Sequence, residues 1–115
     1  MSMAEAAAEG FAAVLEIDGV SVDLIQPDGL AVPILALVAR MHRDPDVVGA
    51  RVNGRRVTVL ASDALAAGLP IGEEGAKSWG LDDGEGPGRL RSAVYADMSR
   101  ATVMLDVSTS PFVVL

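Results

Sequence analysis

The stretch that most constrains this chain is ARVNGRRVTVL, residues 50–60. Two short runs of β-forming residues flank Asn53-Gly54, the dipeptide that best accepts the positive φ angles of a type I′ turn. The pattern predicts a tight hairpin over 47–61. A lone hairpin is marginal in water, so the rest of the chain must give it a sheet and a packing partner.

The segments on either side can supply both. Residues 14–25 alternate apolar and polar about Asp18-Gly19. Leu15, Ile17, Val20, Val22 and Leu24 then line one face of a second hairpin. Gln26-Pro27-Asp28-Gly29 is a turn by its chemistry, because Pro presets φ and Gly accepts the left-handed position. Residues 30–42 read as the main helix. Pro33 falls in its first turn, Ile34, Leu35, Val38 and Met41 form its apolar face, and Asp44-Pro45 stops it. Arg40, His42 and Arg43 would complement the negative end of its dipole.

Residues 1–13, rich in Ala and Glu, predict a short N-terminal helix or arm. Ser2 caps it with Glu5 three residues on, and Gly10 interrupts it. Ser62 reads as the cap of a short helix over 63–67, ended by Gly68 and Pro70. Residues 68–88 read as a long Gly-rich acidic loop holding Trp79, which either anchors the loop to the body or reaches a partner. Residues 89–100 fit helix or strand, and 101–107 alternate as a strand. A Ser-Thr-Ser turn and an apolar C-terminal tail, 111–115, complete the chain. The expected fold class is α+β: a small single domain with a mainly antiparallel sheet of about five strands and one main helix, 30–42, packed on one face.

With 115 residues there is room for one domain with a core of its own. The absence of Cys excludes disulfides, thiolate metal sites and a cysteine nucleophile. The longest apolar run, residues 30–39, is half of the roughly 20 residues a spanning helix needs. The first ten residues lack a basic n-region. A protein without signal peptide or membrane segment is therefore expected, either cytoplasmic or part of an assembled particle. The net charge of −7 repels phosphate backbones, and four aromatic residues offer little for bases to stack on. The dense basic group is Arg51, Arg55 and Arg56, and nucleic acid is not expected as a partner. Half the residues are apolar, so apolar surface should remain exposed on so small a body, which usually marks a contact site.

Five groups of residues invite a chemical reading, each beside a structural one. His42 with Asp44 and Asp46 has the residue types of a metal site or an acid/base pair, and equally of a helix end before an Asp-Pro turn. Residues 72–78, GEEGAKS, approach a phosphate-binding loop, but Ala76 separates Gly75 from Lys77 and Glu73 and Glu74 repel phosphate. Asp82, Asp83 and Glu85 suit calcium or a solvated acidic turn, without the EF-hand spacing. Ser62 and Asp63 would need His42 to compose a triad, and a helix cap explains Ser62 as well. The tail Phe112, Val113, Val114 and Leu115 either pairs with a neighbouring molecule or forms the last strand of its own sheet.

Asp28-Gly29-Leu30-Ala31-Val32-Pro33, followed by a helix and then by Asn53-Gly54 and Ala67-Gly68-Leu69, loosely resembles the phosphocarrier protein of the sugar phosphotransferase system. The resemblance implies an open-faced α+β sandwich. That family's Gly-Leu-His-x-Arg-Pro motif lacks its His and Arg here, so the resemblance implies no phosphoryl acceptor.

No catalytic residue, cofactor or metal is expected. The sequence points to a non-enzymatic structural or interaction subunit of a larger assembly, such as a virion or phage-like neck, tail or decoration component. Its partners would be itself, as a homo-oligomer, or other protein subunits. Its interface would use Trp79, Phe112, Val113, Val114 and Leu115. The alternative is a small bacterial regulatory or ligand-binding module that uses the acidic loop around Trp79.

Overall fold

Strand alternation governs this molecule more widely than the sequence suggests. A computed structural model describes residues 2–40, 54–72, 74–84 and 87–111. Helix α1 (Met3–Asp18) leads into strands β1 (Val20–Ile25), β2 (Ala31–Arg40) and β3 (Gly54–Leu60). A short helix α2 (Ala61–Ala66) and a 3-10 turn (Glu74–Ser78) carry the chain to β4 (Gly80–Asp82), β5 (Pro87–Tyr95) and β6 (Thr102–Pro111). The strands close a barrel in the order β1-β2-β3-β6-β5-β4, each antiparallel to its neighbours. Two three-stranded meanders thus meet along β3–β6 and β1–β4. The class is α+β with one main helix and an antiparallel sheet. The sheet has six strands and is closed, where about five in an open sheet, as in the phosphocarrier-like sandwich, are expected from sequence.

Closure explains the core. Val22 and Leu24, Ile34 and Ala36, Val57 and Val59, Leu81, and Val103, Leu105 and Val107 are buried at alternating positions, and the register shift between Leu90 and Ser92 on β5 brings Leu90 and Ala93 to the same side. They fill the barrel, and each fully buried Val or Leu contributes about 1.5–3 kcal/mol relative to exposure.

The expected main helix, 30–42, is strand β2 over its described part. Its residues are apolar on both faces, because the inner face lines the core and the outer face lies partly against α1. A continuous apolar run has no clear period, so helix and strand look alike in sequence. Pro33 is compatible with the strand for a specific reason. The Gln26 N–H donates to the Leu30 carbonyl, and the β1–β2 register then alternates so that Pro33 faces away from β1. The ladder to β3 begins only at Ala36, so the missing N–H falls on an open edge.

The expected hairpin over 14–25 is half helix. Ser2 caps α1, accepting from the Glu5 N–H at 3.1 Å, and the helix runs through Gly10 to Asp18. Gly19 ends it: its N–H donates to the Leu15 carbonyl, and a Cβ there would lie 2.4 Å from that oxygen. Asp18-Gly19 is a helix stop, not a hairpin turn. The 26–29 turn forms as expected, with Gly29 at φ 94°.

Both edges of β3 are taken, by β2 and by β6, so 55–59 have no free edge for the hairpin partner expected around Asn53-Gly54. Residues 41–53 lie outside the described residues. Residues 68–88 are not one long loop, since they contain the 3-10 turn and β4. Residues 87–95 are strand, and β6 runs on through the expected Ser-Thr-Ser turn to Pro111. Ser62 does not cap α2; Leu60 holds that position without a side-chain bond. Among the described residues no helix is long and apolar enough to cross a membrane.

Candidate functional site

The barrel has two mouths, and the chain closes them with different chemistry. At one, the crossover from β3 to β4 folds over the opening. It places Ala61, Ala64, Leu69, Ala76 and Trp79 in the core, with Trp79 only 7% exposed. Trp79 therefore anchors this crossover to the body. At the other mouth Arg55 continues the inward row of Val57 and Val59, and its Nη1 meets Asp83 Oδ1 at 3.0 Å. The two side chains are 15% and 5% exposed. Gly88 makes room for this pair, since a Cβ there would stand 2.7 Å from the Ser108 carbonyl and 3.1 Å from Arg55 Nη2.

The sequence-based chemical groups disperse in this frame. Asp83 is committed to Arg55, and Asp82 Oδ1 accepts from the Gly84 N–H at 2.9 Å, so this turn spends its carboxylates internally. Lys77 reaches Glu74 at 3.5 Å on the surface, within the 3-10 turn rather than at the start of a helix fed by a strand. Ser62 is exposed on α2, beside Asp63. His42, Asp44, Asp46, Glu73, Glu85, Phe112, Val113, Val114 and Leu115 lie outside the described residues. Among the described residues no three His, Cys, Asp or Glu side chains gather where a metal would sit.

A shallow groove of about 310 Å³ runs between the open edge of β2 and α2, lined by Val32, Pro33, Ile34, Leu35, Asp63, Ala66 and Ala67. Trp79 is not part of it.

The surface holds the more distinctive arrangement. Helix α1 lies against β2 and β3, yet Leu15 is its single buried residue. Ala4, Ala8, Phe11 and Leu15 recur at three- and four-residue steps on the half-buried or buried side. Met3, Ala6, Gly10, Ala13 and Ile17 repeat the same spacing on the exposed side. Met3 and Ile17 are 82% and 83% exposed. Sequence reasoning missed this second stripe, because Gly10 reads as a break. The alternation of steps of three and four was the signal that could have found it.

Across the barrel surface, Arg56 on β3 and Arg89 and Arg91 on β5 point outward, on either side of Asp106 on β6. Arg91 Nε stands 3.8 Å from Asp106 Oδ2, and Asp106 Oδ1 is buried without a hydrogen-bond partner among the described residues. Sequence grouped Arg56 with Arg55, but neighbours in a strand face opposite ways. Strand parity sends Arg55 inside and Arg56 to this outer group.

No protein-family model matches this chain, and no curated protein matches it. The reading of its function therefore rests on the surfaces just described.

Proposed function

We propose that this protein is a non-enzymatic subunit of a larger protein assembly, working through contacts with copies of itself or with other subunits. The observation that carries the reading is the exposed stripe of α1. A helix that offers one apolar side to its own barrel and a second to solvent is shaped for two neighbours. Leu30, Leu35, Leu65 and Met98 add further exposed apolar surface. The described barrel interior is lined by buried apolar side chains, while these further apolar residues stand exposed outside it.

The concrete form we favour is a particle component, such as a neck, tail or decoration subunit of a virion or phage-like assembly. The apolar tail Phe112, Val113, Val114 and Leu115 is proposed as a second contact. It follows β6, which ends at the mouth opposite the β2–α2 groove.

Mass by light scattering across a concentration series tests the reading, on the full chain and on a chain ending at Ser110. A defined oligomer is expected from the full chain, weakened or lost in the shortened one. A monomer at every concentration, for both chains, would remove the assembly reading.

A further inference from the structure

We propose that the outward stripe of α1 seats on the arginine-bearing outer face of β3, β6 and β5 of a second copy, head to tail. The inference rests on the assembly reading above and names its contact. The stripe has small residues at its centre, Ala6, Gly10 and Ala13, so a helix can approach a sheet closely there, and Met3 and Ile17 grip at its ends. A Cβ built on Gly10 meets nothing within 4 Å, so this side of the helix is open.

Charge selects the occupant. Glu9 and Glu16 flank the stripe, seven residues apart on one side of the helix, and α1 contains no basic residue. Among the described residues neither acid has an ion-pair partner. The receiving face carries Arg56, Arg89 and Arg91 against the lone Asp106, a locally positive patch on a chain of net charge −7. Arg56 and Arg89 have no ion-pair partner among the described residues either. One row along the sheet from Arg56, Asp106 and Arg91, the outer face offers Thr58, Met104 and Val94 as a low floor for the stripe.

A body of charge −7 repels its own copies, so a lasting contact has to neutralise acids rather than collect them. Stripe on arginine face does this. Stripe on stripe in antiparallel fashion would bring the Glu9 and Glu16 flanks of two helices together. Used head to tail, the contact joins two different patches and so builds a closed ring or an open chain.

The test is a charge swap. One variant carries Arg56→Glu and Arg89→Glu, the other Glu9→Lys and Glu16→Lys. These side chains are exposed, and thermal unfolding of each variant verifies the fold before association is read. Each variant alone should associate at least tenfold more weakly than the natural chain. An equimolar mixture should recover the assembled mass, because the reversed faces complement each other.

Since the chain has no cysteine, Ala13→Cys and Val94→Cys chains give a second readout: they should cross-link to each other when mixed. Ala13→Cys chains that cross-link chiefly among themselves would overturn the proposal in favour of helix on helix. If the natural chain assembles and both charge variants assemble equally well, the proposed contact is wrong and the assembly reading stands. Folded, monomeric variants whose mixture stays monomeric would also overturn the contact. A natural chain that is monomeric throughout would remove the assembly reading itself.

Discussion

The two mouths of the barrel solve one problem in opposite ways. The crossover mouth is closed by area: Trp79, Leu69 and three alanines take apolar surface out of water. The Arg55–Asp83 mouth is closed by geometry: two charges are largely desolvated, and the contact holds only while both are present. The first closure should tolerate changes of detail and fail with lost volume. The second should fail when one partner is lost, and recover when both go.

Substitutions can break or sharpen that contrast, in descending order of effect. Trp79→Ala should cost about 3–5 kcal/mol in urea unfolding, because it empties the plug of its largest side chain. Asp83→Ala should cost about 3 kcal/mol, since it removes the carboxylate that faces the largely buried Arg55 guanidinium. The double change Arg55→Met with Asp83→Leu should recover most of that loss. A double variant as unstable as Asp83→Ala would mean the mouth needs the charges themselves.

Gly88→Ala should cost about 1–3 kcal/mol by overpacking, as the new methyl meets a backbone carbonyl that cannot move aside. Outside the barrel the effects shrink. Ser2→Ala should cost at most about 1 kcal/mol, visible as fraying of α1 in far-ultraviolet circular dichroism. Ile17→Ser should change stability by less than about 0.5 kcal/mol while weakening association measured by sedimentation. That last pair of readouts separates a surface built for contact from one built for folding.

How much of this was legible in the sequence follows from the same contrast. The Ser2 cap, the 26–29 turn and the alternation of 101–107 are local signals, and each forms as read. The closed barrel is not local. Residues 31–40 look helical because both faces of β2 are apolar, and only closure decides which face is the inside. Asn53-Gly54 suggests a hairpin, yet β3 spends one edge on the preceding strand β2 and the other on distant β6, which no short window can reveal. Asp18-Gly19 can turn a hairpin or stop a helix, and the α1 face that docks Leu15 decides for the stop. The candidate contact surface was half visible. Apolar excess pointed to exposed area, but placing that area on α1 required knowing that Gly10 lies within a helix.

The most direct test of the claim that α1 is a contact surface is amide hydrogen exchange, followed by mass spectrometry at protein concentrations below and above the onset of association. Exchange in α1 should slow at the concentration where the mass rises, with β5 following it, while α2 and the 3-10 turn stay unchanged. A rise in mass with no change in α1 would contradict the account and move the interface elsewhere on the barrel.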